Sequence, residues 1–389
     1  MRAHRPSFRR LALIGATGSI GRQVCDVVER HPDRFGLHTV VGGHDAAALE
    51  AISRRHPQAH ALLANPSEGN PSDAVRAVNA AVCDPDVDLV VVAVAGSAAL
   101  APTLAALEAG KDLALATKEV LVMAGELVRE RMRRHGVQVF PIDSEHSAIW
   151  QCLWGEQQRA VRRLILTGSG GPFLRRPLET LEAVTIGEAL AHPRWKMGPK
   201  ITVDSATMMN KGLEIIEAHF LFDVPYTAID VVVHPESVVH SMVEFVDGSI
   251  KAQLAVPDMH LPIAIALSYP ERLDGISPAP ELTTLGRLTF EPLDGARYPA
   301  VALAREAGER GGSVPAVLNA ANEEAVRLFL DGRCRFVDIV PAVQRVLDAW
   351  PDKEALTLET AIEADRWARA QLRTTIEEEH RQVRRKLPA

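Results

Sequence analysis

The 389-residue chain reads as an α/β protein, with an N-terminal doubly wound parallel sheet, a central α+β domain and a C-terminal helical domain. Three observations predict this. Through the first third, short apolar runs rich in β-branched residues alternate with stretches of helical period, the pattern of βαβ units. Strands and helices then mix without that regular alternation. The closing region is helix-periodic almost throughout.

In order along the chain, "LALIGA" is a first strand and a helix opens at about Ser19. "HTVVGG" is a second strand, followed by a helix from about Asp45. "VDLVVVAVAG", a further helix and "DLALAT" complete the first domain, residues 1–139. The second domain, 140–268, begins at "PIDSEHSAIWQ" and contains strands in "RRLILTG", "IDVVVHP" and "SMVEFVDGSIKAQLAV". Residues 269–299 are rich in Pro and Gly without sustained period, which predicts a linker crossing the surface. Residues 300–389 are expected to be helical.

Leu89 to Leu107 carries no charge and is long enough for a membrane helix. Its first half is β-branched, it breaks at Gly96-Ser97, and its second half runs into Glu108 and Lys111. A buried strand, a turn and a helix explain that pattern better than a span. The opening "MRAHRPSFRR" has no apolar core or cleavage site and reads as a short ragged start. A formal net charge of −7, with 47% hydrophobic and 24% charged residues, argues against a nucleic-acid protein and favours small metabolites as partners. The four cysteines have no CxxC or Cys/His spacing, so neither a disulfide framework nor a zinc site is expected, and a cytoplasmic location fits.

"GATGSIG" places Gly15, Gly18 and Gly21 between a strand and a helix. Glycines there let the backbone approach a pyrophosphate, whose charge meets amide N–H groups and a helix N-terminus. In this setting the first domain reads as a Rossmann-like dinucleotide-binding domain rather than a turn shaped only for packing. At the end of the second strand an acidic residue suits NAD and a basic one NADP. The chain offers both, His44 and Asp45, with a slight lean to NAD.

In the second domain, Asp143 and Glu145 lie two apart at the end of an extended segment, so both carboxylates should project to one side. In "MMNKGLEIIEAHF", Asn210, Lys211 and Glu214 share one helical face while Met209, Leu213, Ile216 and Phe220 form an apolar stripe. A solvated face with a Lys211–Glu214 ion pair would explain those residues. Three carboxylates without Cys or paired His, however, form an oxygen-only set suited to Mg²⁺ or Mn²⁺. Ser169 sits in "LTGSGGPF", a glycine-rich turn whose amides can cradle an anion. Ser205 is placed to cap the following helix, and Lys211 adds positive charge. Such a pairing of anion and cation sites would hold a phosphorylated polyol. "AHPRWKMGPK" carries His192, Trp195 and Met197 either as a lid over a ligand or as a loop tucking Trp195 into the core.

Taken together, "GATGSIG", "DSEHSAIWQ", "LTGSGGPF", "HPRWKMGPKITVDSATMMNKGLE" and "PAVLNAANEEAV" resemble the 1-deoxy-D-xylulose 5-phosphate reductoisomerase family, from about residue 10 to about residue 370. The resemblance implies a metal- and NADPH-dependent enzyme of non-mevalonate isoprenoid biosynthesis, homodimeric, with a lid over its catalytic domain. Asp143, Glu145 and Glu214 would bind the metal. Ser169, His192, Ser205, Asn210 and Lys211 would hold the substrate phosphate, while Ser144 and Lys118 would contact its oxygenated backbone and Trp195 would cover it. Thr17, Gly18, Ser19 and Ile20 would cradle the cofactor pyrophosphate, Gly43, His44 and Asp45 its ribose, and Thr117, Glu119 and Gly198 the region of the nicotinamide. Departures from the family pattern fall at Thr117 and Val120, at Ser147, and at Asp45, where the family usually carries Asn and where a carboxylate would repel a 2′-phosphate. Two rivals remain on the residues alone. Another nicotinamide oxidoreductase, such as a semialdehyde or homoserine dehydrogenase, would need no metal, and a non-catalytic nucleotide sensor would tolerate losing Glu214.

Overall fold

A computed structural model describes residues 8–64, 71–351 and 355–386; most of the basic opening segment and the last three residues lie outside it. The chain begins β1 (Arg9–Ile14), α1 (Ser19–Arg30), β2 (Phe35–Gly42), α2 (Ala46–Arg55), β3 (His60–Leu63) and α3 (Pro71–Val82). It continues through β4 (Leu89–Val92), α4 (Leu100–Glu108), β5 (Asp112–Leu115), α5 (Glu119–His135), β6 (Val139–Pro141) and α6 (Ser144–Cys152). β7 (Val161–Gly168), α7 (Ile186–Ala189), α8 (Pro199–Thr207), α9 (Met209–Phe222), β8 (Ile229–Val233), β9 (Val239–Phe245) and β10 (Ile250–Leu254) follow. The remainder is α10 (His260–Ser268), α11 (Leu282–Leu285), β11 (Glu291–Pro292), α12 (Pro299–Arg310), α13 (Val314–Leu330), α14 (Ile339–Ala349) and α15 (Leu358–Lys386). The chain divides into two compact units.

The first unit comprises the chain up to Val120, Leu127–Gln151 and Asp258–Ala279. Its sheet has the order β3-β2-β1-β4-β5-β6, and every pairing is parallel. The strand order reverses between β1 and β4, and ligands of such sheets bind at that switch point, beyond the carboxyl ends of the strands. β4 is buried at every position, as a strand covered on both faces must be, so the uncharged run from Leu89 is a strand, a 3₁₀ turn and α4. No helix among the described residues is long and apolar enough to cross a membrane.

The predicted linker begins differently from expectation. Residues 258–279 return to the first unit, where Ile263, Ala266, Leu267 and Ile276 join the core built on Leu11, Leu13 and Val91. Arg9, itself buried, donates to the carbonyls of Leu267 at 2.5 Å and Tyr269 at 2.7 Å. Pro and Gly punctuate this stretch, but its apolar residues decide where it goes.

The second unit comprises Leu121–Glu126, Cys152–Pro257 and everything from Pro280 onward. Its mixed sheet has the order β10-β9-β7-β8-β11, with β7 parallel to β8 and antiparallel to β9. The C-terminal helices belong to this unit rather than forming a body of their own. α9 lies close against α12, since a Cβ on Gly212 would come within 2.5 Å of the Ala304 side chain. That small-residue approach merges the two cores.

Candidate active site

In the first unit, the turn after β1 is dictated by steric limits. Gly15 has φ +87° and a Cβ there would lie 2.5 Å from the Ala93 carbonyl oxygen, while one on Gly21 would lie 2.2 Å from that of Gly15. Only glycine fits. α1 opens at Gly18 with no side-chain cap and no acidic residue in its first turn, so its leading N–H groups and dipole are left for an anion. Gly18 and Ser19 are exposed, Thr17 and Ile20 half-buried. At the end of β2, Gly43 and His44 lead to Asp45, the N-cap of α2, whose carboxylate accepts from Ala48 N at 2.8 Å.

A polar group gathers around α6 in the same unit. Lys118, almost fully buried, places its ammonium 2.5 Å from Asp143 Oδ2. Asp143 stands at the start of α6, its carbonyl accepting from Ser147 N at 2.8 Å, and Glu145 lies in the first turn, where the Ser144 hydroxyl donates to its carboxylate. The pair is thus on a helix start and not on an extended segment. Burial of His146, Ser147, Ala148 and Ile149 favours the helix over strand alternation. Nearby, Thr117 Oγ1 donates to the Val94 carbonyl at 2.7 Å and Glu119 opens α5.

The second unit holds the remaining predicted residues. Gly170 and Gly171, in the turn after β7, have φ +77° and +65°, and a Cβ on Gly171 would lie 2.7 Å from the Ser205 carbonyl oxygen. The turn therefore rests directly on α8. Ser169 Oγ accepts from Gly171 N and meets His192 Nε2, both at 3.1 Å. His192 Nδ1 accepts the backbone N–H groups of Arg194 and Trp195 at 3.2 and 3.0 Å. That leaves the proton on Nε2, aimed at Ser169, and burial lowers the imidazole pKa from its usual 6.5. Trp195 is half-buried, its ring 6.1 Å from that of His240, and Gly198 is the N-cap of α8.

α9 carries the most concentrated charge. Glu214 is fully buried and forms an ion pair with Lys211, itself 3% exposed, while Asn210 Nδ2 donates to Glu214 Oε1 at 2.6 Å. The expected Lys211–Glu214 pair exists, but away from solvent. Met209, Leu213 and Ile216 are buried as the apolar stripe requires, and Phe220 only partly. A carboxylate with no solvent exposure needs compensation, to which the Lys211 ammonium and the Asn210 amide contribute.

Family models match three stretches of the chain. 1-Deoxy-D-xylulose 5-phosphate reductoisomerase matches residues 11–125, its C-terminal domain residues 139–222, and the DXP reductoisomerase C-terminal domain residues 254–371. A relative of that name from Pelotomaculum thermopropionicum is 49% identical over 375 residues, 93% of this chain and 97% of the relative. Another of the same name, from Chlorobium phaeobacteroides, is 47% identical over 95% of this chain and 100% of the relative. The chain belongs to the 1-deoxy-D-xylulose 5-phosphate reductoisomerase family. Among solved structures, the Zymomonas mobilis reductoisomerase in complex with NADPH is 40% identical with a TM-score of 0.87, covering 95% of this chain and 99% of that one. A reductoisomerase in complex with NADPH, fosmidomycin and magnesium is 37% identical with a TM-score of 0.88, over 95% and 98%.

Within this member of the reductoisomerase family, Ser205 is not a cap. It lies inside α8, its hydroxyl bonded to the Ile201 carbonyl at 2.9 Å. The break comes at Met208, φ +60°, and Thr207 Oγ1 accepts from Met209 N at 3.2 Å. The sequence reading also passed over Asp204, which is buried, 2.9 Å from Lys200 Nζ and 2.8 Å from Asn322 Nδ2 on α13. An aspartate at an otherwise apolar helix position was the available signal, and "NAANEEA" was its partner.

Proposed function

We propose that this chain reduces and isomerises 1-deoxy-D-xylulose 5-phosphate to 2-C-methyl-D-erythritol 4-phosphate with NADPH and a divalent metal, in non-mevalonate isoprenoid biosynthesis. The observation that carries the reading is the anion cradle of the second unit. Ser169 bonds both Gly171 N–H and His192 Nε2, Gly171 rests against α8 at Ser205, and Lys211 stands on the helix that follows. Family membership over nearly the full length of the relatives supports the rest.

In this reading Ser169, His192, Ser205, Asn210 and Lys211 bind the substrate phosphate and lend that remote binding energy to orientation. Asp143, Glu145 and Glu214 would hold Mg²⁺ or Mn²⁺; the donors are all oxygen, as such ions require. The carboxylates fit a cation, because Asp143 and Glu214 are each neutralised here by a lysine ammonium. A bound ion would free Lys118 and Lys211 for the substrate's oxygens. When bound, the metal polarises the ketone and hydroxyl oxygens for the skeletal rearrangement, and the nicotinamide supplies the hydride that completes the reduction. Lys118 and Ser144 orient the oxygenated backbone, and Trp195 with Met197 excludes water from it. Thr17, Gly18, Ser19 and Ile20 bind the pyrophosphate, Gly43, His44 and Asp45 the ribose, and Thr117, Glu119 and Gly198 flank the nicotinamide. We further propose a cytoplasmic homodimer. The edge strand β10 and the turn before it leave Val246 64% and Ile250 52% exposed, apolar surface on an unpaired edge that a second copy would cover.

The test is oxidation of NADPH and, in parallel, NADH, with 1-deoxy-D-xylulose 5-phosphate and Mg²⁺ or Mn²⁺, with and without chelator. Chelator-sensitive turnover preferring NADPH is expected. No turnover with either nucleotide would overturn the reading.

A further inference from the structure

The turn that carries Ser169 has a front and a back. Its front, with Ser169 and Gly171, lines an open cavity of about 610 Å³ shared with Arg176 and Arg194. At its back, Tyr298 Oη donates to the Gly170 carbonyl at 2.7 Å. Tyr298 is 2% exposed and immediately precedes α12. Its neighbour Arg297 donates through Nη1 to the carbonyls of Phe173 at 2.8 Å and Arg176 at 2.7 Å. Two consecutive side chains thus hold three carbonyls of one loop from behind.

The consequence follows from peptide planarity. In a trans peptide the C=O of one residue and the N–H of the next point in opposite directions. Pinning the Gly170 carbonyl toward Tyr298 turns the Gly171 N–H the other way, and that N–H donates to Ser169 Oγ. Ser169 Oγ in turn meets His192 Nε2. Flanked by two glycines, this peptide has little steric reason of its own to keep one orientation. The hydroxyl of Tyr298 supplies the missing restraint, and burial pushes its pKa up to about 12, so it stays a donor throughout the working range.

We propose that Tyr298, assisted by Arg297, is a positioning residue for the substrate's phosphate: it fixes the Gly170–Gly171 peptide so that Ser169 and His192 present their donors to that group. The inference rests on the reading of this turn as part of the phosphate site of a reductoisomerase. Tyr298 does not touch the phosphate; it acts through the turn.

The experiment compares the full-length protein with Tyr298→Phe, which removes only the hydroxyl, using 1-deoxy-D-xylulose 5-phosphate, NADPH and Mg²⁺. The KM for the phosphorylated substrate is expected to rise roughly 3- to 10-fold, the effect of one lost hydrogen bond, with kcat changing less and the Kd for NADPH unmoved. A fall in melting temperature with an unchanged substrate KM would make the bond merely structural and overturn the inference. Should Tyr298→Phe fail to fold, Arg297→Met decides, because it keeps much of the side chain's length and removes both bonds to the loop: a raised substrate KM supports the clamp and an unaltered one overturns it. Absence of turnover in the unmodified protein would instead strike the functional reading, and the inference with it.

Discussion

Replacing Glu214 by Gln changes almost no volume and removes one charge at a site with no solvent exposure. Lys211 loses the Glu214 carboxylate while remaining 3% exposed, and breaking a buried pair in that way costs about 3–5 kcal/mol. The Gln oxygen can still accept from Asn210, which places the expected loss near the lower end, about 3 kcal/mol. A metal held by Glu214 makes a second and larger demand, since a neutral amide is a poor ligand for Mg²⁺ and turnover should fall to background. NADPH binding should persist, because Thr17, Gly18, Ser19, Ile20 and Asp45 all lie in the first unit. The assay has three readings: NADPH oxidation with substrate and Mg²⁺, NADPH binding by fluorescence, and the melting temperature. A double change, Lys211→Met with Glu214→Leu, separates the two demands. Replacing both partners of a buried ion pair by apolar residues is often neutral or stabilising, so the double variant should regain stability and remain inactive. Substantial turnover in Glu214→Gln, or in the double variant, would refute the assignment of Glu214 to the metal.

Lys211→Ala should raise the substrate KM by about 1.5–3 kcal/mol, the worth of a charge-assisted bond, and Mg²⁺ should recover part of its lost thermal stability by compensating Glu214; an unaltered KM would move the phosphate elsewhere. Asp45→Asn keeps a good N-cap on α2 and removes a negative charge near the ribose, worth about 1 kcal/mol at 4 Å in water. The NADPH-over-NADH ratio should therefore rise about fivefold, and an unchanged ratio would show that the cap already turns Asp45 away from the 2′-phosphate. His192 is held neutral by burial, with its pKa below 6.5. The bonds its Nδ1 accepts from Arg194 and Trp195 are thus complete above pH 6.5 and are lost as pH falls through the lowered value, while Nε2–H stays a donor to Ser169. Substrate KM measured from about pH 8 down to about pH 5 should rise at the acid end more steeply in the native protein than in His192→Gln, where only the substrate phosphate titrates. Parallel profiles would remove His192 from the site.

Much of the first unit was legible because its signals are local. β-branched runs mark the strands, and Gly15 and Gly21 of "GATGSIG" are required at their own positions, where a Cβ would come within 2.5 Å of backbone atoms. The fate of residues 258–279 was not legible, because it is set by long-range packing. Ile263 and Leu267 are apolar in any reading, and only the fold shows that they share a core with Leu11 and Leu13. The same limit merged the C-terminal helices into the second unit. Gly212 against Ala304 is a contact between residues that no period connects.

The site divides along the same line. Residue types were readable, since an oxygen-only carboxylate set and a Gly-rich turn after a strand have few chemical uses. Backbone direction was not. Ser205 before a helical stretch looks like a cap in sequence, yet the chain is already helical there and turns left-handed at Met208, which opens α9 without a side-chain cap. Asp143 and Glu145 look like strand neighbours until the next four residues, His146 to Ile149, are all found buried, which strand alternation would not give. Tyr298 shows the limit most clearly. A tyrosine between Arg and Pro before a helix has no motif, and its bond to Gly170 spans more than a hundred residues of chain. What makes it matter is the direction of one peptide plane, a quantity that residue types alone do not encode and that a flexible Gly-Gly pair leaves to its neighbours.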